Sequence, residues 1–209
     1  MSRLKLLIEK LRVAVDSGKM TSDFVSKSIA EIKEIGFEYN YDKFPLLVDT
    51  ESFSDTSLGS PSNLAEALLW KIGKWKTYKK FCNQFADQNS EPSNTDVVFY
   101  AFAKHLKDND NPIYDQHAMR GIWAICSDLD ASEVAKCKHL LFDTSNKWKS
   151  TGTGANATAC YEIFLNRMAR IVKDGCTKEE LDRLLMPLGQ AIKKETNTYV
   201  DFENIVKFV

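Results

Sequence analysis

The sequence predicts an all-α fold, and three observations carry that expectation. Apolar residues recur about every 3.6 positions nearly throughout. No stretch alternates apolar with polar residues as a half-buried strand would. Glycines and capping residues stand where the periodic segments start and stop. With 209 residues, 44% hydrophobic and 27% charged, the chain can fill one sizeable core or two small ones.

The elements follow in order. A first helix is expected from about Ser2 to Ser17, with Gly18 terminating it in a left-handed conformation. A second, from about Ser22 to Ile35, carries Phe24, Val25, Ile29 and Ile32 on one face and stops at Gly36. Residues 37 to 61, first aromatic and then rich in Ser, Asp and Thr, read as a long connection. Asn63 and Glu66 have the spacing of a capping box, opening a helix that continues to about Phe85 with Leu68, Ile72, Trp75 and Phe81 on one face. After a polar break, a helix from about Thr95 to Leu106 buries Val97, Val98, Ala101 and Phe102. Further helices are expected from Asp115, from near Ser132, from about Ala155 to Asp174, from Lys178 to Lys194 behind a Thr177–Glu180 capping box, and from about Asp201. No internal repeat is present.

Several function classes drop out. No apolar run approaches the roughly 18 residues needed to span a bilayer. "MSRLKLLIEKLRVAV" mixes charge into helical apolar positions, unlike a targeting peptide, which places the protein in the cytoplasm or on the nucleoid, with no membrane partner. The five cysteines form no C-x-x-C pair and the three histidines have no ligand spacing, so no metal is called for. The glycines of "DTSNKWKSTGTGANA" match neither a P-loop nor a dinucleotide fingerprint, and no nucleophile elbow occurs. A formal charge of -1 excludes coating of nucleic acid by bulk charge, but Lys71, Lys74, Lys76, Lys79 and Lys80 concentrate five positive charges in ten residues, interleaved with Trp75 and Tyr78 and preceded by Trp70. These lysines read either as stems lying along an aromatic stripe or as a phosphate-contacting surface. Lys147, Trp148 and Lys149, in the glycine- and serine-bearing loop to Asn156, are open to the same two readings: a mobile segment that orders on nucleic acid, or a solvated linker.

The remaining motif is "NPIYDQHAMRGIWAI", in which an apolar pair, Asp115, His117 and Arg120 open a helix. This pattern resembles the catalytic segment of the helix-hairpin-helix DNA glycosylase superfamily, the endonuclease III-like enzymes. The resemblance covers about residues 60 to 190, with its sharp part in about ten residues. It implies a two-lobed helical fold, with an N-terminal segment and connection over 1–59 and a glycosylase-like core over 60–209 forming one compact unit. It also implies DNA as partner, no cofactor, and hydrolysis of the N-glycosidic bond of a damaged or hypermodified base; the oligomeric state is left open by the sequence, with a monomer favoured. Asp115 matches the catalytic aspartate, His117 the histidine of D-x-H, and Arg120 the arginine three places on, which the reading makes a DNA contact. Tyr114, His117, Trp123 and Trp70 are candidates for the wall of a flipped-base pocket, with core packing the alternative for the aromatics.

Two departures qualify the match. Where the family carries an L-P-G-x-G hairpin, this chain reads "SEPSNTDVVFY", with Pro92 in place and both glycines missing. The bifunctional members' catalytic lysine has no counterpart, which implies a monofunctional enzyme. Asp115 itself has two readings. As an N-cap it needs no chemistry. As a carboxylate in a partly desolvated pocket it would stabilise the positive charge that develops on the sugar. The alternative for the whole chain is a non-enzymatic helical domain of glycosylase-like fold that binds DNA or a protein.

Overall fold

The computed structural model describes residues 2–39, 61, 64–86 and 91–207. Its secondary structure is helical, and among the described residues only isolated β-bridges join extended segments. Helix α1 (Arg3–Asp16) starts where Ser2 Oγ accepts the Lys5 amide, and the spacing of Leu4, Leu7, Ile8, Leu11, Ala14 and Val15 buries one stripe of it. It stops at Gly18, φ +66°, as expected from its lack of a Cβ. Helix α2 (Ser22–Glu34) is capped by Thr21, buries Val25, Ser28 and Ile32, and ends at Gly36, φ +90°.

The single long helix expected from Asn63 to Phe85 is two: α3 (Leu64–Lys71) and α4 (Trp75–Ala86). Gly73 adopts φ +72°, and the Lys74 amide bonds back to the Leu69 carbonyl, which closes α3 as a left-handed cap. The break defeats the common face. Leu68 and Ile72 are 59% and 57% exposed, whereas Phe81 packs into a small cluster with Phe85, Phe102, Ala103 and Leu106 between α4 and α5 (Val97–Lys107). Asn63 lies outside the described residues. Glu66 is buried and accepts a hydrogen bond from the Tyr78 hydroxyl.

The main core lies around α6 (Gln116–Ile125), whose residues Ala118 to Ile125 are all buried. Helices α7 (Ala131–Leu141), α8 (Ala157–Ile171), α9 (Lys178–Glu195) and α10 (Tyr199–Val206) surround it, and α1 and α2 join the same core. The Thr177–Glu180 capping box forms as expected at the start of α9. A second such box puts the start of α10 at Tyr199, because Thr198 is the cap and Asp201 its N3 partner. Beside α10, α1 is anchored by Lys5 Nζ donating to the Asn204 carbonyl at 2.7 Å.

The pairing of α6 with α9 is set by two glycines. A Cβ on Gly121 would lie 2.6 Å from the Leu185 carbonyl oxygen, and one on Gly189 would lie 2.0 Å from that of His117. The helices therefore touch backbone to backbone, and the first turn of α6 is fixed against α9. No helix of the described residues is long and apolar enough to cross a membrane. All five cysteines are buried free thiols.

Candidate functional site

Asp115 occupies extended backbone at the N-cap of α6, where a short polar side chain can reach the otherwise unpaired first-turn amides. Its Oδ1 accepts from the His117 and Ala118 amides at 2.7 and 2.9 Å. Both bonds fall on one oxygen. Among the described residues no donor reaches Oδ2, and the side chain is half-buried.

A second carboxylate stands beside it. Asp182 lies on α9 and is 1% exposed, with Oδ2 accepting the Ile113 amide at 2.9 Å and Oδ1 buried without a partner. Burial pushes its carboxyl up to about 8, and the negative charges of Asp115 and Glu179 add to that, against the opposing Ile113 bond. Tyr39, just after α2, faces both acids. Burial first, then Asp115 and Asp182, raise its phenol.

On the other side of Asp115, His117 is half-buried and its pKa is lowered, chiefly by burial and further by Arg120 and Lys193, while Asp115 and a bond to the Gly189 backbone oppose the change. Its Nδ1 lies 3.0 Å from Arg120 Nη1. A guanidinium only donates, so Nδ1 accepts and the neutral ring carries its proton on Nε2.

Several expected contacts lie elsewhere. Arg120 is 0% exposed, stacks 4.6 Å over the Trp148 ring, and donates to Gln116 Oε1 at 2.6 Å. Burial brings its pKa down to about 10, with Asp115 opposing. Its guanidinium is enclosed within the protein, where the sequence reading expected a DNA contact. Tyr114 and Trp123 are core residues: Tyr114 packs 5.0 Å from Tyr161 and 5.3 Å from Phe164, and Trp123 packs 4.6 Å from Phe202. Neither is a free wall for a base. Trp70 is 61% exposed but sits on α3, which packs chiefly on α4.

Of the lysines, Lys71, Lys74, Lys76 and Lys80 are exposed on α3, α4 and the turn between them, and Lys79 is half-buried. Lys147 is exposed, while Lys149 Nζ donates to the His139 carbonyl at 2.6 Å, capping the end of α7. The loop from Lys147 to Asn156 is tied down, not free. Lys147 and Trp148 make bridges to Thr198 and Phe142, Trp148 Nε1 donates to the Thr196 carbonyl at 2.9 Å, Gln116 Nε2 donates to the Ser150 carbonyl, and the Gly154 amide donates to the Asn94 carbonyl.

Asp182 and Tyr39 were not singled out from the sequence. Asp182 carried a readable signal, a lone acid among Leu181, Leu184, Leu185 and Leu188 on the buried side of α9. Among the described residues, no three His, Cys, Asp or Glu side chains gather as a metal site would require. No protein-family model, curated protein or solved structure matches the chain.

Proposed function

We propose that this protein is a monofunctional N-glycosidase that removes a damaged or hypermodified base from DNA, with Asp115 as the working carboxylate. One observation carries the reading. At one end of α6, an aspartate held by two amides keeps an oxygen uncommitted beside a second aspartate that burial keeps protonated near neutrality. Neighbouring carboxyl groups with opposing environments are what acid and base roles at a glycosidic bond require. As the C1′–N bond breaks, its electron pair leaves with the base and positive charge spreads over the sugar ring. Asp115 Oδ2 stabilises that charge and orients a water, whose oxygen bonds to C1′ while its proton passes to solvent and the departing base takes up another. The bifunctional members' catalytic lysine has no counterpart in the sequence, so the strand would be left abasic and uncut.

The test is Asp115→Asn on DNAs carrying damaged and naturally hypermodified bases, read as alkali-labile sites. Asn caps a helix about as well as Asp, so melting should hardly change. Base release should fall by about two to four orders of magnitude, because the charge is lost and the shape kept. Wild-type rates in the variant would overturn the mechanism.

A non-enzymatic domain that binds DNA or a protein is the second reading. The surface of α3 and α4 favours it, because Leu64, Leu68, Trp70 and Ile72 are exposed beside Lys71, Lys74, Lys76 and Lys80. Binding without base release from any DNA would select it.

A further inference from the structure

Asp182 has a chemical situation that capping and packing do not explain. It is nine-tenths buried or more, only one of its oxygens has a donor, and the ionisable side chains that bear on it are Asp115 from the segment before α6, Glu179 from the preceding turn of α9, and Tyr39 from the segment after α2. Among the described residues none of these is a cation, although Glu179 is itself paired with Arg183 Nη2 at 2.9 Å. An ionised carboxylate there would face two like charges with one oxygen unsolvated, an arrangement that low-dielectric surroundings penalise heavily. A carboxylic acid escapes the charge penalty and leaves only a neutral group unpaired, since its Oδ2 still accepts the Ile113 amide while Oδ1 carries the proton.

The clamp acts on the segment that carries Asp115. Ile113 follows Pro112 and precedes Asp115 by two residues, and Tyr114 between them is buried against Tyr161 and Phe164. Asp182 thus anchors one end of this strap, and the Asp115 cap anchors the other. The scaffold for both is rigid because α6 and α9 meet backbone to backbone at Gly121 and Gly189.

We propose that Asp182 is the positioning residue of this site: as an uncharged acid it clamps the Ile113 amide, so that the carboxyl pair holds a single negative charge and that charge stays on Asp115. The inference rests on Asp115 as the working carboxylate. Its consequence is an upper pH limit for the site, since loss of the Asp182 proton puts a second negative charge beside Asp115.

Two measurements test this, the first independent of any substrate. In the unliganded wild type labelled with ¹³C at aspartate carboxyls, one resonance should titrate near pH 8 and be absent from Asp182→Asn. If no aspartate titrates above about pH 6, two units beyond the ordinary range, the single-charge pair is wrong. The second is the pH profile of base release. The wild type should show an alkaline limb that Asp182→Asn lacks, because the amide keeps a neutral acceptor for Ile113. Asp182→Leu, with no acceptor, should lower kcat by at least about tenfold relative to Asp182→Asn with little change in KM. An Asn variant that retains the limb, or that loses kcat as fully as Leu, would overturn the assignment. Should Asp182→Leu not fold, the titration and the Asn profile decide. Should the wild type release no base from any DNA, the glycosidase reading fails, and the carboxyl titration still decides the pair.

Discussion

Replacing Gly189 by alanine adds one carbon at the tightest place in the fold. Its ideal position lies 2.0 Å from the His117 carbonyl oxygen, 2.6 Å from the carbonyl carbon and 2.9 Å from Cα. These are backbone atoms of another helix, so no rotamer change relieves the contact. Reaching an ordinary separation of about 3.2 Å requires α6 and α9 to move apart by more than roughly 1 Å, which loosens Ala118, Ile122, Leu185, Leu188 and Ile192, all fully buried. Overpacking typically costs about 1–3 kcal/mol, and a rigid backbone neighbour puts this site at or above the upper end. Alanine's better helix propensity returns only about 1 kcal/mol. The net expectation is a loss of about 2–4 kcal/mol, equivalent to roughly 5–15 °C in Tm for a chain of this size. Thermal and urea unfolding of Gly189→Ala, beside Gln190→Ala as a control on the half-exposed side of the same turn, measures it. A Gly189→Ala protein that melts at or above the wild-type temperature would refute the claim that the helices touch here. Because the clash is with the residue whose amide Asp115 caps, the proposed base release should fall in this variant as well.

Asp182 makes stability depend on pH. The unfolded chain releases this proton near 3.8 while the fold keeps it to about 8, so the fold binds the extra proton across that window and its stability falls as pH rises through it. Over the roughly three pH units up to pH 7 the cost is on the order of 4 kcal/mol. Urea midpoints for Asp182→Asn should decline less between pH 4 and pH 8 than wild-type midpoints, and parallel curves would count against a buried neutral acid. Arg120→Met should destabilise by about 2–4 kcal/mol, since Gln116 and His117 lose their buried donor, yet leave the salt dependence of DNA binding unchanged. A reduced salt slope in that variant would return Arg120 to the DNA surface. Changing Lys74, Lys76 and Lys79 to Gln should lower the slope by about one for each of these lysines that meets a phosphate, as fluorescence titrations at several salt concentrations would show, and no change would remove the α3–α4 surface from the binding face.

The all-helical character and most helix ends were legible because their determinants are local. Gly18 and Gly36 sit at positive φ, and Thr177 with Glu180 needs only three residues of sequence to form its box. Gly73 was missed for a local reason too. The apolar period runs on through "LLWKIGKWKTYKKF", and a glycine inside such a pattern reads as tolerated when nothing else breaks the rhythm. The site was legible only in part. Asp115 as a cap follows from its place before a helix, but the fate of Arg120 depends on Trp148, which lies in a separate loop and meets it only through tertiary packing. The same holds for Asp182, whose neutral state arises from burial against a segment far away in the chain. Spacing along one helix cannot report which neighbour arrives from another.

The seat of α1 has a consequence for how the chain is made. Leu4, Leu7, Ile8 and Leu11 are almost wholly buried, yet the surfaces that cover α1 include α6 and α10, and the Lys5 bond reaches Asn204. On the ribosome this helix emerges well before α6 and α10 exist, so the part of its apolar stripe that they cover waits open until they follow. At about 5–20 residues per second that interval is on the order of ten seconds or more, long compared with collapse and within reach of holdase chaperones. Closure of the fold is therefore a late event that joins segments of long sequence separation. Its rate should respond to substitutions at the α1–α10 seam more than to equally severe ones within the α4–α5 cluster, whose partners are neighbours in the chain.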